Sequence, residues 1–226
     1  MKTRPIILTP AEVLAALDGR LTLVVRPLKK QPPPDTREMG MSDCRGFCRD
    51  FPAETHDWPC PYGSPGTVLW GREPWQDYCP LWDGYWCGCG SKKMQAETHS
   101  VVYRADNPQG HLEVESRLKP GTTIKTSAKK WRPPSNMPKR ASRIRRLLTS
   151  VEVRQVQSIT IDDIERVGIR DGEEDGFGAG PTAVCDSGDQ QFRERFAAFW
   201  DTRLAKTPRQ KWEANPWAWF LRIKGG

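Results

Sequence analysis

Hydrophobic and polar positions change their period often along this chain, and the changes divide it into short elements. Pro5-Ile6-Ile7-Leu8 predicts a short strand leading into a helix over 10–18. That helix has a full set of start and stop signals. Thr9 stands at the N-cap, Pro10 at the first helical position, Glu12 completes a capping box, and Gly19 follows the last turn. Leu21 to Val25, rich in branched side chains, predicts a second strand. Within 41–90 only Gly66 to Arg72 carries a strand pattern. Val101 to Arg104 and His111 to Val114 read as a hairpin around Asn107-Pro108-Gln109-Gly110. Between Ser142 and Gln157, Val151, Val153 and Gln155 are set against Glu152, Arg154 and Val156, which fits two strands or one long bent strand. A short helix is predicted over 161–167, with Thr160 as N-cap, Asp162 and Asp163 in its first turn, Ile159 stapled to Ile164, and Gly168 as the stop. Phe192, Phe196, Phe199, Trp200 and Leu204 recur at helical spacing and predict an amphipathic helix against a sheet. Trp217, Trp219, Leu221 and Ile223 alternate with Ala218, Phe220, Arg222 and Lys224, a closing strand. Many short strands with two or three helices suit an α+β fold, a small β-barrel with helices covering it.

Composition narrows the class. The 226 residues include 10 Trp, 20 Pro and 7 Cys, and only 37% are hydrophobic. No apolar run approaches the ~18 residues of a membrane span. Pro5, Pro10 and Glu12 interrupt what would have to be the apolar part of a secretory signal, so a cytoplasmic protein is expected. The odd cysteine count speaks against a disulfide scaffold as well. Pro27 to Gly40 is rich in Pro and charge, with Pro32-Pro33-Pro34 as an extended linker or surface loop. Residues 41–90 hold six of the cysteines and five of the tryptophans with little periodicity, and 41–100 reads as an irregular insertion within a single domain spanning 1–226. Residues 170–190 are acidic and Gly-rich, an expected mobile loop.

Charge changes the picture more than composition does. The formal net charge is +7, but residues 121–157 alone carry +9, with ten Lys and Arg against Glu152. Residues 158–192 then carry −7. A block of that kind favours a polyanion, because each cation that meets a phosphate releases counterions. A solvated face paired with the acidic stretch is the plainer alternative. Trp131 and Pro133-Pro134 lie inside the block.

The cysteines form a second constellation. Cys44 and Cys48 precede His56 and Cys60, and Cys79 precedes Cys87 and Cys89. Thiolates in an irregular, core-poor segment suit structural zinc, whose four tetrahedral ligands substitute for a hydrophobic core. One set takes Cys44, Cys48 and Cys60 with His56 or Cys79; another mixes Cys87 and Cys89 with the first pair. Free buried thiols are the alternative. Cys185 has no assigned role, and His56, His99 and His111 form no nucleophile–base pattern.

Several segments together resemble bacteriophage ASCH-domain proteins of the PUA-like superfamily. They are Lys2 to Leu8 with Leu17-Asp18-Gly19-Arg20; Tyr62-Gly63-Ser64-Pro65-Gly66 with Leu69 to Trp75; and Tyr103-Arg104-Ala105-Asp106. Trp131 to Pro138 running through Ala141-Ser142-Arg143 to Gly168-Ile169, and Trp212 to Trp219, complete the set in the same order. The resemblance implies a small β-barrel whose helix-flanked cleft suits a nucleobase or an RNA segment. It also implies relatives that remove an acyl group from modified cytidine with a Lys, a Thr and a Glu. Here those positions fall on Leu21, Val24 and Val167, which neither transfer a proton nor attack a carbonyl. Thr22 and Glu165 are near in sequence but turned to other faces.

Binding of RNA, DNA or a nucleotide without that hydrolysis is therefore the expected function. Arg20 and Arg26 flank the second strand and can hold phosphate with their forks. Arg72 and Glu73 offer a fork and an acceptor for a base amino group, or an ordinary ion pair at a strand end. Lys130, Trp131, Arg132, Lys139, Arg140 and Arg143 make up the basic face, with Trp131 as the aromatic contact. Trp70, Trp217 and Trp219 are expected in the core. Two other functions stay open: a modified-base hydrolase using Glu73, Thr22 or Arg72, and a module docking on a host or virion protein.

Overall fold

The computed structural model describes residues 1–33, 36–37, 39–42, 45–48, 57–78, 100–106, 111–115, 123–127, 131–168 and 188–225. They divide into two units, one of residues 1–71 with 143–226 and one of residues 72–142. The first opens with β1 (Thr3–Ile7), α1 (Pro10–Leu17), β2 (Leu23–Pro27), β3 (Met39–Ser42), β4 (Arg45–Cys48), β5 (Asp57–Pro59) and β6 (Val68–Arg72). The second holds β7 (Trp75–Tyr78), β8 (Ser100–Tyr103), β9 (His111–Glu115) and β10 (Thr123–Ser127). The chain returns to the first for β11 (Arg145–Gln155), α2 (Ile161–Val167), α3 (Gly188–Phe199) and β12 (Trp217–Gly225).

Local signals set the helix ends. Thr9 Oγ1 accepts the Glu12 N–H at 3.3 Å, and Glu12 Oε2 accepts the Thr9 N–H at 2.9 Å, so the capping box forms in both directions. Thr160 and Asp163 repeat it at the start of α2, with the Asp163 N–H donating to Thr160 Oγ1 at 3.1 Å. Gly168 ends α2 in the left-handed region at φ 72°, a conformation that costs other residues about 1–2 kcal/mol.

The first unit is built on a five-stranded sheet in the order β1-β6-β11-β12-β2. β11 pairs antiparallel with both β6 and β12, and β12 with β2. The pleat of β2 sorts its residues. Leu23 and Val25, with Ala218 and Phe220 of β12, pack against Ile164 and Val167 of α2 and Phe196 and Phe199 of α3. Val24 points the other way, where it shares an apolar cavity with Leu21, Ile6, Leu8, Leu69 and Ile144. The first and last strands of the order thus line one space, so the sheet curls strongly. The expected closed barrel does not form among the described residues; what the sheet shows is a curled α+β arrangement.

Arg26 bridges the two edges of that sheet. Its guanidinium donates to Glu12 Oε1 and Oε2 at 2.7 and 2.8 Å, to the Ile7 carbonyl of β1 at 2.7 Å and to the Val25 carbonyl at 2.8 Å. On the helical face Asp163, only 2% exposed, receives Arg154 of β11 at 3.0 Å and Arg222 of β12 at 3.4 Å, tying α2 to two strands.

Several boundaries differ from the sequence expectations. The second strand begins at Leu23 rather than Leu21, because Arg20 and Leu21 still donate to the Ala15 carbonyl behind α1. Ser142 to Gln157 contains one strand, β11, whose register shifts between Leu148 and Ser150; that irregularity supplies the bend. The hairpin joining 101–104 to 111–114 does not form: β8 pairs with β7, and β9 with β10. Residues 41–90 contain β4, β5 and β7 and part of β3 besides β6, so they are more regular than expected. The second unit starts at Arg72, so its bounds differ from the insertion expected over 41–100. Most of the expected acidic loop, residues 170–187, lies outside the described residues. No helix among the described residues is long and apolar enough to cross a membrane.

Candidate nucleic-acid interface

The densest group of expected contact residues lies in the second unit, on the segment from Trp131 to Ser142. Proline shapes that segment. Pro133 and Pro138, both extended, precede two short 3₁₀ turns, Pro134–Asn136 and Lys139–Ala141. The Met137 N–H closes the first on the Pro134 carbonyl at 3.0 Å, and the Ala141 N–H donates to the Pro138 carbonyl at 2.9 Å. Met137 and Ala141 consequently face the same way and are buried against Trp75, with Val101 and Tyr103 packed alongside. The Tyr103 hydroxyl fixes the second turn by donating to the Ala141 carbonyl at 2.8 Å. Ser135 and Asn136 just before Met137, and Lys139 and Arg140 between Met137 and Ala141, are exposed.

Arg132 is held at the other end of the segment. Its N–H donates to the Trp75 carbonyl at 2.9 Å, and the Trp75 N–H returns a bond to the Arg132 carbonyl at 3.3 Å. The guanidinium carbon then lies 5.1 Å from the Trp75 ring centroid, a cation–π contact on a ring that is itself buried. The result is a braced edge with three exposed cations, Arg132, Lys139 and Arg140.

The remaining expected residues are distributed differently. Trp131 is half-buried beside Arg132, and Lys130 lies outside the described residues. Arg72 is half-buried and Glu73 is 1% exposed, with the Glu73 N–H donating to Met137 Sδ at 3.5 Å. Glu73 therefore lies below the surface that a base edge would meet. Arg143 is half-buried and belongs to the first unit, as do Arg20 and Arg26. Arg20 donates to Asp18 at 2.8 Å and to the Gly168 carbonyl, closing the turn after α1 on the end of α2. Arg26 is 8% exposed and committed to Glu12 and two carbonyls, so it serves the fold and not a phosphate. Sequence reasoning placed Glu12 only in a cap. Trp75, which orients Arg132, was visible as part of a resemblance motif but carried no sign of that contact.

The three apolar residues expected at the Lys, Thr and Glu positions are all buried. Leu21 and Val24 are 1% and 0% exposed around a cavity of about 10 Å³, and Val167, also 1% exposed, packs on the opposite face of the sheet. Tyr62, near Arg26, has its phenol pushed above the ordinary value by burial, partly offset by the Arg26 charge and reinforced by Cys60 and Glu12.

Of the zinc candidates, Cys44, His56, Cys79, Cys87 and Cys89 lie outside the described residues; Cys48 is on β4 and Cys60 is half-buried. Among the described residues no three potential ligands cluster. Comparisons with protein families, with curated proteins and with solved structures found no match for this chain.

Proposed function

We propose that the chain is a PUA-like protein of the bacteriophage ASCH type that binds a nucleic acid or nucleotide through residues 131–140, without the acyl-cytidine hydrolysis of the family it resembles. The observation that carries this reading is the braced presentation of Arg132, Lys139 and Arg140. All three are exposed on a segment pinned by buried Met137 and Ala141, inside a stretch of the sequence with a large positive excess. A cationic edge whose backbone is already fixed loses little conformational entropy on meeting phosphates. The curled sheet with helices on one face is consistent with a PUA-like fold. The burial of Leu21, Val24 and Val167 on two faces argues against the hydrolytic chemistry.

Titration of labelled RNA and DNA oligonucleotides at two salt concentrations tests the proposal. Affinity that falls as salt rises is expected; no binding even at low salt contradicts it. Incubation with acylated cytidines, read by mass spectrometry, is expected to leave them intact. We also propose that residues 44–89 hold a structural zinc, drawn from Cys44, Cys48, His56, Cys60, Cys79, Cys87 and Cys89. Elemental analysis should find about one zinc per chain, and a chain free of metal contradicts that part.

A further inference from the structure

The contact between Arg132 and Trp75 points to a more particular ligand. A guanidinium is planar and has two faces. The Arg132 guanidinium carbon lies over the Trp75 indole, 5.1 Å from the ring centroid, while the residue as a whole stays exposed. Trp75 is 3% exposed and cannot itself stack on a ligand. Its indole N–H is buried with no hydrogen-bond partner among the described residues, so what the ring supplies here is its face. The paired backbone bonds between Trp75 and Arg132 fix the base of the arginine, and Pro133 follows directly.

We propose that the ligand is single-stranded, and that Arg132 is the platform on which one of its unpaired bases stacks, in the order Trp75, Arg132, base. This rests on the nucleic-acid reading above and adds to it the class of strand and the stacking residue. In a duplex the base faces are occupied by their neighbours, and what remains readable is groove edges, which an inserted helix or a two-stranded ribbon reaches. Residues 131–142 present neither; they present two single turns. Unpaired bases, by contrast, are captured on aromatic rings or guanidinium planes, with nearby cations following the backbone. Lys139 and Arg140 are placed to take that second part.

The test uses the full chain, unchanged and as Arg132→Lys, which keeps the charge and the long stem but loses the plane. Each is titrated at low salt with three probes of equal length: oligodeoxyadenosine, an abasic strand, and a duplex. The unchanged chain is expected to bind the base-bearing strand roughly tenfold more tightly than the abasic one. In Arg132→Lys that preference should vanish while the salt dependence stays, with circular dichroism unchanged because the residue is exposed. Equal affinity of the unchanged chain for all three probes overturns the stacking inference and leaves the nucleic-acid reading standing. A base preference that survives in Arg132→Lys overturns the assignment to this residue. No binding of any probe overturns both.

Discussion

Arg26 is buried at the curl of the sheet, where four of its donors meet a carboxylate and two carbonyls rather than water. Removing one member of such a pair strands the other charge, which costs about 3–5 kcal/mol. Arg26→Ala should therefore lose that much in urea denaturation. A double variant, Arg26→Met with Glu12→Leu, should recover most of it, short of about 1 kcal/mol for the lost cap. Tyr62 offers a pH readout of the same region. Burial favours its protonated form, so its folded pKa lies above the 10.0 of an exposed phenol. The stability it confers is whole below the unfolded value and is lost as pH rises through the folded one. Absorbance titration should show a tyrosine step above that of an exposed phenol, and Tyr62→Phe should remove that late step. The pairing of Glu12 with Arg26 was not legible in the sequence. A helix cap and a strand-end arginine 14 residues apart carry no local sign that they meet, because the contact depends on how β1, α1 and β2 pack. That Leu21, Val24 and Val167 are apolar was legible in the sequence, but not that the three side chains lie on two faces. Leu21→Lys with Val24→Thr should thus destabilise the chain by several kcal/mol and yield no hydrolysis, since it buries a charge beside an apolar cavity. Recovered acyl-cytidine cleavage in that variant would contradict the assignment.

At the scale of elements, signals confined to a few residues were read correctly. The capping box of α1, the Thr160 N-cap of α2 and the glycine stop of α2 depend only on side chain and backbone within one turn. Gly168 carries the added constraint that a Cβ there would lie 2.9 Å from the Arg20 carbonyl carbon. Gly168→Ala should lower the melting temperature by more than the ~1–2 kcal/mol backbone term alone implies. Asp163→Ala keeps the Thr160 cap but removes its reciprocal half, the Thr160 N–H bond to Asp163 Oδ2, along with the bonds to Arg154 and Arg222, for a loss of about 1–3 kcal/mol in the same assay. Strand pairing was the part that could not be read. Val101 to Arg104 and His111 to Val114 flank a fine turn sequence, yet β8 takes β7 as its partner and β9 takes β10. A turn motif proposes a hairpin, while cross-strand packing decides it: Tyr103 belongs opposite Trp75, where both join the cluster with Met137 and Ala141.

For the molecule as a whole, the charge block read from the sequence is not a single surface feature. Within the described residues Arg146 donates to the Ala16 carbonyl and Arg154 to Asp163, both in the first unit. Among the residues of the second unit whose burial is described, the exposed cations of the block are Arg132, Lys139 and Arg140 on a proline-braced edge. The excess of charge was visible in the sequence; which of its members stay exposed needed the packing. The most direct measurement is the dependence of single-stranded oligonucleotide affinity on salt, compared between the unchanged chain and Arg132→Ala/Lys139→Ala/Arg140→Ala. Loss of the two phosphate-facing cations Lys139 and Arg140, together with the Arg132 platform, should weaken binding and flatten the slope of log affinity against log salt by about 1.4, at ~0.7 per contact. Identical slopes and affinities for the two proteins would show that the nucleic acid, if bound, is held elsewhere, and would contradict the account.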